Sequence, residues 1–417
     1  MTDTKNKNKT EAPVNYMAAD EGHLSDKVLA LTLAGIPVLL EGFPGTGKTA
    51  WVHQFAQLFE YAKHPDTYGE KPYPIFVLAG ESMNPEDFTG YPSLGEKVLP
   101  DGQVTRVTDF ATPRWAEDFI EAGRGLLFLD ELRNFPPEVQ ASLLKVIQDK
   151  RLPNGTNLPE DTVIIAAQNA IEHSPSGTPL AAPLANRFAH LEWKPSAQVW
   201  IKGAENNWGG EMDENYTIAS SLVTSFISQQ TNFLLNVPKN ESELEKPYPT
   251  WRTWQSVINV LAANPSLAAS LPEKSRGQAT NVNIAAGIVA SLVGDAAKSA
   301  FVSSLRGFDV PTYQELIDNP KAVNWTTIRP GHAYIVLRVL SSHLRQEDNK
   351  AFGKIIATAE KRADISDVVS RCIRTVAKKM TAHNEEVGYM DWMFDESLKY
   401  SDAVAGLNND LKEATTR

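Results

Sequence analysis

One cysteine in 417 residues, no surplus of basic charge and no histidines spaced to grip a metal: each lack removes a class of function. A lone Cys372 excludes an intramolecular disulfide and is what a chain in a reducing cytoplasm is expected to carry. It sits in a helical pattern, Val368-Val369-Ser370-Arg371-Cys372-Ile373, where a small core hydrophobe is the expected role. Lysine and arginine total 40 against 51 aspartates and glutamates, a formal net charge of −11. That balance argues against broad, nonspecific binding to nucleic acid or to an anionic membrane. No apolar run is expected to approach the roughly 18 residues of a membrane span. Residues 1–12 are polar and lack an apolar signal region, so they are expected to form a disordered tail. The eight histidines show no H-E-x-x-H spacing and no Cys/His cluster, so a zinc-type site has no support.

What the chain does have is Gly42-Phe43-Pro44-Gly45-Thr46-Gly47-Lys48-Thr49, a match to the phosphate-loop pattern G-x-x-x-x-G-K-[ST]. The apolar run Pro37-Val38-Leu39-Leu40-Glu41 leads straight into it. Glycines let the backbone curl until successive N–H groups point at phosphate oxygens. A helix starting near Lys48 adds the positive end of its dipole. Gly42, Pro44, Gly45, Thr46, Gly47, Lys48, Thr49 and Ala50 are the expected nucleotide-binding residues. Lys48 is placed to reach the β- and γ-phosphates, and the Thr49 hydroxyl to ligate Mg²⁺.

Five short runs are apolar throughout, as buried parallel strands are: Val38–Leu40, Ile75–Ala79, Leu126–Leu129, Val163–Ala167 and, more weakly, His190–Trp193. Helical stretches over Thr49–Tyr61, Trp115–Ala122 and Pro137–Gln148 separate them. Alternating strand and helix signals imply an α/β layered domain, residues 13–195, with ligands at the carboxyl ends of a parallel five-stranded sheet. An insertion over 81–112 contains a hairpin turning at Asp101-Gly102, and a second hairpin over 150–161 turns at Asn154-Gly155. Beyond Pro195 helices take over: Tyr216–Leu235, Trp251–Ala263, Ile284–Leu305, His332–Leu344 and Ile365–Lys379. The expected division is an all-helical lid over 196–310 and a further helical region over 311–417.

The third strand adds chemistry to the loop. Leu126-Leu127-Phe128-Leu129 buries it, and Asp130-Glu131 emerges at its end, expected on the strand adjacent to the loop's own. Asp130 is placed to hold Mg²⁺ with Thr49, hard oxygen ligands of the kind that ion takes. Glu131 is placed to polarise the attacking water. The fourth strand ends Ala167-Gln168-Asn169, a neutral amide tip between two carboxylate-bearing strands in the expected order, able to orient that water. In Pro183-Leu184-Ala185-Asn186-Arg187-Phe188, Arg187 could reach the γ-phosphate of a neighbouring protomer, its planar fork suiting the charge of the transferring group. Thr250-Trp251-Arg252-Thr253-Trp254 opens a lid helix; Trp251 and Trp254 share a face and are expected in the lid core.

This order of elements resembles the AAA+ ATPases with their P-loop NTPase fold, and within them the MoxR and dynein-related group, over roughly residues 20–260. Asp130-Glu131-Leu132-Arg133-Asn134, Asp87-Phe88-Thr89-Gly90 and Ala167-Gln168-Asn169 carry the likeness. It implies Mg²⁺-dependent hydrolysis of ATP, with Asn169 as the sensor-1 residue, Arg187 as the arginine finger and Arg252 as sensor 2. Glu131, Lys48, Asn169, Arg187 and Arg252 make up the implied catalytic set. It also implies a homo-oligomeric ring, usually hexameric, whose pore is faced by the 81–112 insert and the 150–161 hairpin. The chain departs from the family at Ala170, where proline is usual, at Asn186, where aspartate is common, and in the residues around Arg252. The segment Gly287–Pro320 resembles AAA proteins of actinobacterial type encoded beside partners with a von Willebrand factor A-like domain.

The reading that follows is an ATP-driven remodelling machine, chaperone-like, acting on a client protein complex. Phe88 and Tyr91 are candidates for gripping the client, with packing the commoner role for such residues. The alternative is a nucleic-acid motor such as a restriction-type translocase, against which the acidic charge and the lack of a long Lys/Arg run count. A nucleotide-gated scaffold that does not hydrolyse is a third reading, opposed by the presence of Lys48, Thr49, Asp130 and Glu131 together.

Overall fold

Strand β1 (Val38–Gly42) is apolar on both faces until Glu41, and it lies inside a sheet. The computed structural model describes residues 23–65, 73–80, 84–169, 179–238, 240–271, 279–305 and 311–382. The expected tail over 1–12, the start of the insertion at 81–83 and Ala170 lie outside these. Helix α1 (Leu24–Leu33), which the sequence pattern did not suggest, precedes β1, and α2 (Lys48–Lys63) follows the loop. Then come β2 (Ile75–Ala79), the short α3 (Glu86–Thr89), β3 (Pro92–Val98), β4 (Val104–Phe110), α4 (Arg114–Ala122) and β5 (Arg124–Asp130). After these follow α5 (Pro137–Asp149), β6 (Asp161–Asn169), the single-turn α6 (Ala182–Ala185) and β7 (Ala189–Trp193).

The five expected strands form one parallel sheet in the order β2-β5-β6-β1-β7. Here one expectation is corrected: the Asp130 strand does not adjoin the loop strand. β6 stands between them, pairing Leu40 with Ala167 on one side and Phe128 with Ile165 on the other. β6 is apolar from Val163 to Ala167 and buried along that length, which suits a strand flanked on both edges. The expected amide tip therefore does lie between the strands that carry Glu41 and Asp130.

Leu39, Leu127, Leu129, Ile164 and Ala166 of the sheet share a core with Trp115 and Phe119 of α4 and Val139, Leu143 and Val146 of α5. Each such valine, leucine, isoleucine or phenylalanine contributes about 1.5–3 kcal/mol when fully buried. Trp51, Phe55 and Phe59, at helical spacing on α2, are buried as well, and the Trp51 ring meets Trp193 edge-on at 5.4 Å.

β3 and β4 are the expected hairpin, antiparallel with Val98 opposite Val104 and Gly102 at φ 83 in the tip. Gly90 closes its base: a Cβ there would stand 1.7 Å from the Ala111 carbonyl oxygen. The second expected hairpin is tighter than a strand pair. A single bridge joins Arg151 and Asn157, Leu152 N donates to Thr156 O at 2.8 Å, and Gly155 turns at φ 95. Pro153 has no N–H to extend the ladder, and buried Leu152 and Leu158 draw both legs inward.

The contacts divide the chain into a unit up to Val199 and a unit from Trp200 onward. Helix α7 (Ala197–Glu205) spans the division. The second unit is helical: α8 (Glu214–Gln229), α9 (Glu241–Leu244), α10 (Trp251–Ala263), α11 (Pro265–Ser270), α12 (Ala279–Leu305), α13 (Tyr313–Asp318), α14 (Pro330–His343), α15 (Asn349–Ala359) and α16 (Ser366–Ala382). α8 packs on both α10 and α14. A capping box between Thr250 and Thr253 starts α10. Trp251 and Trp254 are core, as expected, and the Trp254 ring packs on Phe226 and Phe301 at 5.6 Å each. Cys372 is buried too, and that burial pushes its thiol up to about 12. A second expectation is corrected in α12, whose Asn281–Leu305 stretch is long and apolar enough, by length and composition alone, to cross a membrane. Only 28% of that apolar window is buried, along a stripe of Ala285, Val289, Val293, Ala297 and Phe301.

Candidate functional site

The loop after β1 takes a conformation that only its glycines allow. Gly45 and Gly47 have φ 67 and 85, the left-handed region closed to most side chains, and so give the chain the curl of an anion nest. Gly42 answers a different demand: a Cβ there would stand 2.4 Å from Trp193 O on β7. Thr46 is held from both sides, its Oγ1 donating to Phe43 O at 2.8 Å and accepting Trp193 Nε1–H at 2.9 Å. Pro44 lies in the turn, and Ala50 lies exposed in the first turn of α2.

Lys48 is buried, and its ammonium donates to Gly42 O at 3.2 Å, Phe43 O at 2.9 Å and Asn169 Oδ1 at 3.0 Å. Thr49 Oγ1 donates to Asp130 Oδ2 at 2.7 Å. Lys48, Thr49, Asn169 and Asp130, from three parts of the sequence, thus meet at the carboxyl ends of β1, β6 and β5. The loop supplies amides and a cation for phosphate, and Thr49 with Asp130 supplies two hard oxygens in contact, so these donors fit a nucleotide with Mg²⁺.

Glu131 follows in an unusual backbone state, φ 54 and ψ 52, costly for a residue with a side chain. Its N–H donates to Asp130 Oδ1 at 3.1 Å, and its Oε2 accepts Asn134 Nδ2–H at 2.8 Å. Gly80, just past β2, makes room for this turn: a Cβ there would come within 2.7 Å of Glu131 O. Asn134 closes the Asp130–Asn134 motif, and no role for it is legible in the sequence. Its contact explains why an amide sits three residues beyond the acid.

On β1, β6 and β7 a second polar cluster gathers that sequence reasoning missed. Glu41 accepts Gln168 Nε2–H at 2.5 Å, stands 3.1 Å from His190 Nδ1, and has Arg133 Nη2 at 3.8 Å. Burial works against the Glu41 charge, but the bonds from His190 and Gln168 outweigh it and hold its carboxyl below the usual range. Burial likewise opposes a proton on His190, and its bonds to Ala185 O and Glu41 outweigh that, raising the imidazole above the ordinary histidine value. The available signal was an acid ending an otherwise apolar strand, Val38-Leu39-Leu40-Glu41.

Arg187 is exposed, resting on Gln148 Oε1 at 3.0 Å, outside the group around Lys48. Arg252 is exposed in the first turn of α10, in the second unit. Phe88 is buried against Trp115, whereas Tyr91 is exposed at the base of the hairpin.

With this geometry in hand, a family model for the AAA domain (dynein-related subfamily) matches residues 37–188, the span from the entry to β1 to the end of the Arg187 turn. Residues 37–188 are an AAA domain of the dynein-related subfamily. Over part of its length the chain is similar to two curated relatives. The transcriptional regulatory protein FlgR of Helicobacter pylori is 30% identical over 161 residues, 37% of this chain and 38% of the relative. Chaperone MoxR1 of Mycobacterium tuberculosis is 26% identical over 163 residues, 38% of this chain and 37% of the relative. The chain therefore spans well under half the length of either. Among solved structures, the Thermotoga maritima RuvB Holliday junction branch migration motor aligns at 15% identity and TM-score 0.33, covering 74% of this chain and 80% of that one. NtrX from Brucella abortus in complex with ADP aligns at 14% identity and TM-score 0.35, covering 85% and 68%. ATP and Mg²⁺ are the general ligands of an AAA domain, and AAA proteins commonly oligomerise.

Proposed function

We propose that the chain is a MoxR-like ATPase that uses ATP hydrolysis to remodel, activate or assemble a client protein complex. The observation that carries this is the meeting of Lys48, Thr49, Asp130 and Asn169 beside the Glu131 turn within the AAA domain. In this reading Lys48 leaves its carbonyl partners for the β- and γ-phosphates, and Asn169, already in contact with that ammonium, marks the γ-phosphate position and helps orient water. Glu131 takes the proton of the attacking water, and Asn134 holds its carboxylate until it does. Thr49 and Asp130 would hold Mg²⁺, which would supply positive charge against the phosphates. Arg187, exposed, serves the nucleotide of a neighbouring protomer, and Arg252 takes the sensor-2 role that the family resemblance implies. The cofactor roles of Gly42, Pro44, Gly45, Thr46, Gly47 and Ala50 are to shape the loop and present its amides.

The assembly we propose is a homo-oligomeric ring, hexameric as is usual in the group, working in the cytoplasm. The regions 13–195, 196–310 and 311–417 would act as ATPase domain, lid and further helical region. A client or partner with a von Willebrand factor A-like domain is supported by the likeness of Gly287–Pro320. Likeness to a chaperone over part of its length supports the remodelling role. Capture with the Glu131→Gln variant and ATP tests it. Enrichment of a von Willebrand-like partner supports the reading, and stimulation of hydrolysis by DNA or RNA instead would replace it with a nucleic-acid motor.

A further inference from the structure

His190 faces two hydrogen-bond acceptors at once. Its Nδ1 stands 3.1 Å from Glu41 Oε2, and its Nε2 stands 2.9 Å from the backbone oxygen of Ala185. A neutral imidazole offers one N–H and one lone pair, so either tautomer would set a lone pair against an acceptor. Glu41 is not the missing donor. Its Oε1 already accepts from Gln168, and Arg133 Nη2 stands 3.8 Å from that same oxygen, so the group is held as a carboxylate. Only the doubly protonated ring satisfies both contacts.

Each end of this contact belongs to working machinery. Glu41 is the last residue before Gly42, where the phosphate loop begins. The Ala185 carbonyl also accepts the Phe188 N–H at 3.3 Å, closing the turn that displays Arg187. Leu184 and Phe188 anchor that turn by burial, and Arg187 N donates to Leu184 O at 3.1 Å.

Building on the reading that Arg187 serves a neighbouring nucleotide, we propose that His190, as an imidazolium, is a positioning residue that clamps the Arg187 turn to Glu41 at the root of the phosphate loop. The loop's own strand and the arginine offered to the next protomer then move as one body, and loss of the His190 proton releases the turn. The charged groups facing the ring are Glu41 from β1 and Arg133 from the turn after β5. Glu192, two residues along β7, is taken by Lys194 at 2.5 Å. The upward shift of His190 and the downward shift of Glu41 agree with the ion pair.

Nitrogen-15 NMR of the histidine rings in the full chain tests the clamp without any need for activity. Both His190 nitrogens are expected to be protonated at neutral pH, and a neutral ring there overturns the inference. Kinetics test the coupling. His190→Ala should lower kcat by roughly ten- to hundredfold with KM for ATP little changed, and should cost nothing further when added to Arg187→Ala. His190→Lys, a permanent cation with several donors, should recover most of kcat and abolish the loss of activity that the parent shows as pH rises through the His190 pKa. Additive losses in the double variant, or an alkaline limb that survives in His190→Lys, would overturn the clamp. A parent that does not hydrolyse ATP removes the ATPase reading instead, and the NMR result still decides the ion pair.

Discussion

Thr49 donates its hydroxyl to Asp130 at 2.7 Å, although β6 separates the strand before Thr49 from the strand that ends at Asp130. The contact is possible because both strands finish at the same edge of the sheet, and α2 begins there over the tip of β6. Two oxygens held this close, one of them a carboxylate, are two of the ligands a hard cation takes, in place before any cation arrives.

Removing either oxygen should therefore uncouple nucleotide from metal. Thr49→Ala and Asp130→Asn are expected to keep the fold and to lose the Mg²⁺-dependent part of ATP affinity. Calorimetric titration of ATP with and without Mg²⁺ checks this, and an unchanged metal dependence in both variants would contradict it.

Glu131 and Asn134 form the next pair, joined at 2.8 Å. Loss of a general base costs typically about 10²–10⁴-fold in rate, so Glu131→Gln should bind ATP and scarcely turn it over. Asn134→Ala frees the carboxylate, and faster basal phosphate release than in the parent is the expected result. A Asn134→Ala variant as slow as Glu131→Gln would mean that the amide contributes to the chemistry itself.

Gly42 is a packing glycine. Its missing Cβ would lie 2.4 Å from backbone on β7, which cannot swing aside as a side chain does. Gly42→Ala should lower stability by about 1–3 kcal/mol, the usual cost of overpacking, as read from urea unfolding. Unchanged unfolding would show that β7 moves away more easily than its pairing with β1 suggests.

The Glu41 and His190 shifts have opposite signs with pH. Glu41 has a lowered pKa when folded, so its contribution is present above the unfolded carboxylate value and is lost as pH falls through the folded one. His190 has a raised pKa, so its contribution is full below the unfolded histidine value and disappears as pH rises through the folded one. Stability of the parent should peak between these limits. Glu41→Gln should flatten both limbs, because the imidazolium loses its counter-ion. Since both side chains are partly exposed, the effect should shrink in high salt.

The β3–β4 ribbon offers Leu94, Val98 and Val104 at 82%, 67% and 60% exposure. Leu94→Ser and Val104→Ser should leave stability within about 0.5 kcal/mol, as surface changes do. If the insert touches a client, they should weaken client capture while basal ATP turnover stays constant. Equal capture by the variants would remove the ribbon from the client path.

Much of this was legible in the residues because it is local. Val163–Ala167 reads as a doubly flanked strand, and Gly45 and Gly47 read as a phosphate turn, without knowledge of any neighbour. Lateral order is not local: nothing in Leu126–Leu129 says which strand lies beside it, and the sheet sets the Asp130 strand one position farther from the loop than expected. Glu41 and His190 stand 149 residues apart, and each looks like an ordinary surface charge until the sheet brings β1 and β7 together. Helix α1 escaped because Leu24–Leu33 has a weak amphipathic pattern and no capping side chain at His23. Arg252 is legible at the start of the helix that begins at Trp251, and its role rests on resemblance alone.

The most direct test is phosphate release from ATP by the parent chain and by Glu131→Gln, each with Mg²⁺ and with a chelator. The account requires turnover by the parent only when Mg²⁺ is present, and a variant that retains bound ATP while releasing almost no phosphate. Equal turnover by parent and variant, or turnover indifferent to the chelator, would contradict it.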